Sequence, residues 1–222
     1  MTALGQLHTR TLMVAALALL SATTAACDLV GTRGEGAVTS ETRQTDTFSR
    51  VESGAGIQVS IRIGDASALE VRAQSNLLPL ITTEVVDGTL RIGSSKGYTT
   101  SEKVEVILAT PQLERIVLSG GSRGTIDGVS SDTFDVELNG GSVLTATGTA
   151  STITLHVSGG SVAELDGLTA ATINADLSGG SRAEIRATDL IDGSATGGSR
   201  VSVAGGANTT VDTTGGSQVE QR

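Results

Sequence analysis

Apolar and polar residues alternate along short segments of this chain, most regularly in its second half. The segment Phe134-Asp135-Val136-Glu137-Leu138 alternates throughout, and Ile153–Val157 and Ile173–Leu177 do the same. Alternation with a period of two places successive side chains on opposite faces, which indicates half-buried β-strands. A shorter alternating segment follows each of these after a few residues, as in Arg182-Ala183-Glu184-Ile185. The pattern therefore predicts pairs of short strands with a break between them.

The break is a Gly-Gly-Ser motif that returns six times. It occupies residues 120–122, 140–142, 159–161, 179–181, 197–199 and 215–217, at intervals of 20, 19, 20, 18 and 18 residues. A unit of this length cannot bury an apolar face alone, but units stacked about 4.8 Å apart by parallel strand pairing share one continuous core. We therefore predict an all-β fold, a single-stranded β-helix (solenoid) with coils of about 18–20 residues. Gly recurs because each coil makes the same unusual turn at that corner.

The first half of the chain shows the same features less regularly. Gly54-Ala55-Gly56 is a degenerate version of the corner. Alternating segments occur at 57–63, 69–71, 90–92 and 104–108. The apolar run Leu77–Ile81 interrupts the alternation and predicts a buried loop or a short cap, whereas the polar residues 93–103 predict an exposed loop.

Three stretches carry a resemblance to a known family. They are Phe48–Ile63, the Asp-Gly-Thr-Leu-Arg-Ile run at 87–92, and the repeated Leu-Ser-Gly-Gly-Ser corners. With these stretches, residues 45–220 resemble the bacterial putative auto-transporter adhesin, head GIN domain family. The family's Gly-Ile-Asn stands here as Gly56-Ile57-Gln58. The resemblance implies a right-handed β-helix in an exported protein, often a lipoprotein, and it brings no catalytic residues.

The N-terminus predicts export. Residues 1–26 have the pattern of a signal peptide, with Arg10 before the apolar stretch Thr11–Leu20 and small residues after it. The only cysteine, Cys27, follows at once, and Thr24-Ala25-Ala26-Cys27 resembles a bacterial lipobox. We expect cleavage before Cys27 and lipidation of its thiol, which anchors the protein to a membrane. The alternative is ordinary signal-peptidase cleavage after Ala26. Residues 27–46 then comprise the lipidated cysteine and a flexible tether, and residues 47–222 the β-helix domain.

Composition and charge indicate which side chains fill the core and which partners the protein can bind. The chain of 222 residues has 29 Gly, no Trp, and only Phe48, Phe134 and Tyr98 as aromatics, so its core consists of short aliphatic side chains. The formal net charge is −9, and no basic cluster is interleaved with aromatics. An acidic surface repels phosphate backbones, so we expect no nucleic-acid partner.

The sequence disfavours three kinds of chemistry, namely serine hydrolysis, calcium binding in a repeated nonapeptide and polysaccharide cleavage. The six corner serines (Ser122, Ser142, Ser161, Ser181, Ser199 and Ser217) should stack, with hydroxyls that bind turn amides. A nucleophilic serine needs a positioned base, and alternation places the nearest candidate, His156, on the outward face. A calcium-binding nonapeptide repeat needs Asp at the sixth position, counted from the first glycine of each Gly-Gly. Here that position is Thr125, Thr145, Glu164, Glu184, Ser202 and Glu220.

Asp176, Arg182 and Glu184 are the residues that a polysaccharide lyase on a β-helix could use, but scattered charges more often form a solvated face. We predict no metal, cofactor or catalytic residue. The function predicted is an exported, membrane-anchored, non-catalytic binding or structural module of the cell envelope, adhesin-like, with an unknown protein or envelope partner. The alternative is an envelope carbohydrate-active enzyme.

Overall fold

The computed structural model describes residues 31–64 and 67–222. The predicted signal peptide and Cys27 lie outside the described residues. The strands are β1 (Thr32–Arg33), β2 (Val38–Thr42), β3 (Arg50–Ser53), β4 (Gln58–Ile63), β5 (Ala68–Gln74), β6 (Ile81–Val86), β7 (Thr89–Ser94), β8 (Tyr98–Thr99), β9 (Glu105–Thr110), β10 (Arg115–Leu118), β11 (Arg123–Leu138), β12 (Val143–Val157), β13 (Val162–Leu177), β14 (Arg182–Ala195), β15 (Arg200–Ala204), β16 (Asn208–Thr213) and β17 (Gln218–Gln221). One 3₁₀ turn, Leu78–Leu80, precedes β6.

The strands stack into a β-solenoid of about 5 turns with about 20 residues per turn, which confirms the predicted fold class. The strands that lead into the Gly-Gly-Ser corners form one sheet, here called the leading sheet. Its parallel part contains β7, β3, β10, the second halves of β11–β14, and β16. The strands that follow the corners form the trailing sheet, whose parallel part contains β9, β4, the first halves of β11–β14, β15 and β17.

The core lies between these sheets and is built from columns of equivalent residues. Phe134, Ile153, Ile173 and Ile191 occupy the same register position in successive coils. All four are fully buried. The inward column nearest the corner, Leu138, Val157, Leu177 and Ala195, ends in a smaller side chain. Short aliphatic side chains can fill this core because each coil contributes only one thin layer.

The corners have the left-handed backbone that the repeated glycines predict. In the corner at 159–161, Gly159 has φ 64° and Gly160 has φ 76°. A Cβ placed on Gly159 would lie 3.0 Å from the backbone nitrogen of Gly140 in the preceding coil. Glycine is therefore required at the first position of the motif for two reasons, its positive φ angle and the close approach of the preceding coil.

Antiparallel strands cover the N-terminal end of the stack. In the trailing sheet β9 pairs with β5, and β5 pairs with β2. In the leading sheet β6 and β7 form a hairpin whose two-residue turn is Asp87-Gly88, both with positive φ. This is the arrangement that an Asp-Gly dipeptide favours. Leu77 and Ile81, on either side of the 3₁₀ turn, are buried, in agreement with the predicted cap.

Part of the predicted flexible tether is ordered, which corrects the prediction for residues 27–46. Val38–Thr42 pairs with β5, although every residue of this strand is exposed. Arg43 then donates hydrogen bonds to the carbonyl oxygens of Ile81 (2.7 Å) and Leu78 (3.1 Å) over the end of the core. An edge strand needs only backbone pairing, so a polar sequence with no apolar period can form one.

The loop predicted for residues 93–103 is also shorter than expected. β7 extends to Ser94, and β8 pairs with β1. The Tyr98 hydroxyl donates a hydrogen bond to the carbonyl oxygen of Ala55 (2.7 Å), which ties this segment to the first corner.

Candidate functional site

The corner serines stack as predicted, but their hydroxyls have a different main partner. Ser142, Ser161, Ser181 and Ser199 are buried, and each donates to the carbonyl oxygen three residues earlier at 2.6–2.8 Å. Two hydroxyls also bind amides as expected. The Ser142 amide donates to Ser161 Oγ (3.2 Å), and the Ser199 amide donates to Ser217 Oγ (3.0 Å). The bonds to the carbonyl groups close each corner, and the two amide bonds join neighbouring coils. Buried hydroxyls with these partners are not placed to attack a substrate.

The outward side chains of the leading sheet line a groove beside the corners. Strand register places Glu137, His156, Asp176 and Ser194 in one column, one residue per coil. A second column, immediately before the glycines, contributes Asn139, Ser158, Ser178 and Thr196. We call this the leading groove; its volume is about 380 Å³. It runs along the stack, across the strands, and almost every side chain that lines it is polar.

One hydrogen-bonded network fixes the end of the leading groove that is nearer the N-terminus. Arg115 donates to Glu137 Oε2 at 2.7 Å, and Asn139 donates to Glu137 Oε1 at 3.0 Å. Asn139 Oδ1 in turn accepts from the Ser158 hydroxyl at 2.5 Å. The carboxylate of Glu137 is therefore held in place by two donors.

A second set of contacts occupies the next coils. The Ser194 hydroxyl donates to Asp176 Oδ1 at 2.6 Å, and His156 Nδ1 lies 3.6 Å from Asp176 Oδ2. The His156 and Asp176 side chains are 55% and 53% exposed, so the outward position predicted for His156 is confirmed. Here the carboxylate lies between the hydroxyl and the imidazole. A nucleophilic serine requires the imidazole in the middle, in contact with the hydroxyl, so these residues do not form a catalytic triad.

The three residues that a polysaccharide lyase could use are not brought together either. Asp176 lies in the leading groove, whereas Arg182 and Glu184 lie beyond the corner on the trailing sheet and line a different depression. Within residues 31–64 and 67–222, no group of three or more His, Cys, Asp or Glu side chains could hold a metal ion. Glu164, at one of the positions tested for calcium, instead accepts a hydrogen bond from Thr145 (2.8 Å).

The sequence reasoning missed one apolar depression on the outer face of the trailing sheet. It has a volume of about 470 Å³, and its outward-facing apolar residues are Ile107, Ala109 and Ala68. A signal for it exists in Val106-Ile107-Leu108, since three consecutive apolar residues in a strand must place one outward. In the described part of the chain, no helix is long and apolar enough to span a membrane.

Stacked coils, polar outward columns and buried corner hydroxyls define a β-solenoid. The sequence matches the putative auto-transporter adhesin, head GIN domain family over residues 47–207, and the chain belongs to this family. A search of curated proteins finds no match.

Several solved structures have a similar fold. A putative adhesin from Bacteroides fragilis has a TM-score of 0.69 at 19% identity, covering 86% of this chain and 100% of its own. A putative adhesin from Parabacteroides distasonis has a TM-score of 0.55 at 17% identity, covering 86% and 99%. A structure from the same organism described as a putative lipid binding protein has a TM-score of 0.51 at 13% identity, covering 86% and 98%. At these identities the likeness concerns the fold.

Proposed function

We propose that this chain is an exported, membrane-anchored, non-catalytic binding module of the cell envelope, adhesin-like, which acts by contact along its outer strand faces. The observation that carries the proposal is the leading groove. Its polar side chains recur once per coil and are held by one another, and the Asp176 carboxylate lies between the His156 imidazole and the Ser194 hydroxyl. Such a surface offers hydrogen bonds along a line, and it suits an extended partner bound by many weak contacts.

A binding module and an enzyme are distinguished by incubating the full chain with envelope polymers. We expect saturable co-sedimentation with insoluble envelope material and no release of soluble saccharide over the same period. Asp176→Asn should weaken this binding because it removes the negative charge and one acceptor oxygen from the middle of the groove. Glu164→Gln is the matched control, since it removes an exposed carboxylate from the opposite sheet. Release of saccharide that depends on His156 would show that the protein is an enzyme.

The anchor is a separate part of the proposal and has its own test. We expect metabolic labelling with an acyl precursor to modify the wild-type protein and to leave Cys27→Ala unlabelled. The variant should also leave the membrane fraction. An unmodified Cys27 thiol in the mature wild-type protein, found by mass spectrometry, would show that the protein is secreted without a lipid.

A further inference from the structure

Two arginines are stacked on the outer face of the trailing sheet without an acidic partner. Arg182 on β14 and Arg200 on β15 are direct register neighbours, and both side chains are exposed. Among the described residues, no carboxylate oxygen lies within 4 Å of either guanidinium. Arg200 donates a hydrogen bond to the neutral amide oxygen of Gln218 (3.2 Å). Like charges directly opposite each other on a sheet are destabilising.

The arginine pair lies in a depression that contains a second unpartnered polar group. The depression has a volume of about 340 Å³ and is lined by Arg182, Arg200, Ser202, Gln218, Arg222, Glu184 and Glu220. Ser202 is 5% exposed, and within the described part of the chain its hydroxyl has no hydrogen-bond partner. The lining therefore holds three arginines, a free hydroxyl and two glutamates in a chain whose net charge is −9.

The glutamates decide what shape of ligand this depression can accept. Arg222 lies 3.4 Å from Glu184 and so compensates that carboxylate. Glu164 and Glu220 lie in the adjacent outward column, in the coils on either side. A broad anionic surface, such as a membrane, would meet these carboxylates as well as the arginines. A narrow chain that crosses the strands can contact the arginine column alone.

We infer that Arg182 and Arg200 bind an acidic group of a linear, anionic polysaccharide. Two guanidinium forks on neighbouring strands can donate several charge-assisted hydrogen bonds to a carboxylate or a sulfate. The ligand also relieves the repulsion between the two arginines. This inference rests on the proposed binding function and names the ligand chemistry of a second surface, distinct from the leading groove.

The test uses the full chain and three soluble polymers. Polygalacturonate supplies carboxylates, dextran sulfate supplies sulfates, and dextran is the neutral control. We expect binding of one or both acidic polymers by isothermal titration calorimetry, weakening as salt increases, and no binding of dextran. Arg182→Gln and Arg200→Gln should each weaken the affinity about 10- to 100-fold, the range for lost hydrogen bonds between charged groups.

The chain offers a matched control in Arg123. This arginine is exposed in the same outward column of the trailing sheet, but its register neighbours are Gln58 and Val143. Arg123→Gln should retain wild-type affinity. Because Arg200→Gln removes a repulsion, its melting temperature without ligand should not fall, so weaker binding cannot be attributed to unfolding.

Three outcomes would overturn the inference. These are no binding of either acidic polymer, equal loss in Arg123→Gln and Arg200→Gln, or binding of anionic phosphatidylglycerol vesicles through the same pair in preference to the polymers. If the protein still co-sediments with envelope material under any of these outcomes, the proposed binding function stands and only this site is wrong.

Discussion

Gly120 stacks directly on Ala55 at the same corner of two neighbouring coils, and both residues have φ 60°. A Cβ placed on Gly120 would lie 3.5 Å from the Ala55 nitrogen. At the first position of the corner turn, the later coils have a glycine with positive φ, whereas the first corner has Ala55. Ala55 therefore holds a side chain in the left-handed conformation that glycine adopts in the other corners. The degenerate motif Gly54-Ala55-Gly56 keeps the geometry of the regular corners despite its different sequence.

Ala55→Gly should therefore stabilise the protein. A left-handed residue with a Cβ costs roughly 1–2 kcal/mol. Part of that gain is lost because glycine makes the unfolded chain more flexible, by about 0.4–1 kcal/mol. We expect a net increase of about 0.5–1 kcal/mol in the free energy of unfolding, measured by urea denaturation. A decrease would mean that the Ala55 methyl makes contacts that outweigh the backbone strain.

Substituting each of the two glycines of one corner distinguishes the cost of backbone strain from the cost of a clash between coils. Gly159→Ala and Gly160→Ala both place a Cβ on a residue with positive φ. At Gly159 that Cβ also meets the Gly140 nitrogen at 3.0 Å, whereas at Gly160 nothing lies within 4 Å. Both variants should be less stable, Gly160→Ala by about 1 kcal/mol and Gly159→Ala by more. Equal losses would show that the coils can separate slightly at the corner without cost.

The positions of these corners follow from the sequence, and so does most of the fold. The interval between motifs sets the coil length, and the coil length sets the register. His156 and Asp176, 20 residues apart, must therefore be neighbours. The end of the stack could not be derived in this way. β2 has no apolar period because it pairs only through its backbone, and Arg43 covers the core by bonding carbonyl groups. The leading groove's network also depends on side-chain rotamers, which no repeat encodes.

The serine column supplies a matched pair of substitutions. Ser161 donates to the Ser158 carbonyl and accepts from the Ser142 amide, whereas the buried hydroxyl of Ser122 has no partner among the described residues. Ser161→Ala should lower the free energy of unfolding by about 1–3 kcal/mol because it leaves buried groups unsatisfied. Ser122→Ala should be neutral or stabilising. Thermal and urea unfolding of both variants measure the difference, and similar losses would contradict the assigned hydrogen bonds.

A charge placed in the buried column that contains Leu177 should destabilise the protein severely. Leu177 is buried between Val157 and Ala195 of the adjacent coils. Leu177→Asp should destabilise by more than about 4 kcal/mol, since its carboxylate would have no partner there. Ser178→Asp adds the same charge one residue away at an exposed position and should change stability by less than about 0.5 kcal/mol. Circular dichroism should show a mainly β spectrum for the wild type and for Ser178→Asp, and loss of that spectrum for Leu177→Asp.

Tyr98 should make the protein sensitive to alkaline pH. Partial burial disfavours the charged phenolate and raises the pKa of Tyr98 above its ordinary value of 10.0. A raised pKa means that the folded state binds the proton more tightly than the unfolded state does. The resulting stabilisation is complete below pH 10.0 and is lost as the pH rises through the pKa of the folded protein.

Because Tyr98 is the only tyrosine in the chain, the ultraviolet absorbance of its phenolate reports this pKa directly. We expect the absorbance midpoint of the folded protein to lie above that of the protein in denaturant. Tyr98→Phe should lose the hydrogen bond to the Ala55 carbonyl, at a cost of about 0.5–1.5 kcal/mol at neutral pH. Its stability should also decline less steeply above pH 10.0 than that of the wild type. Equal midpoints in the folded and denatured protein would show that the Tyr98 ring is solvated, and that β8 does not hold it against the first corner.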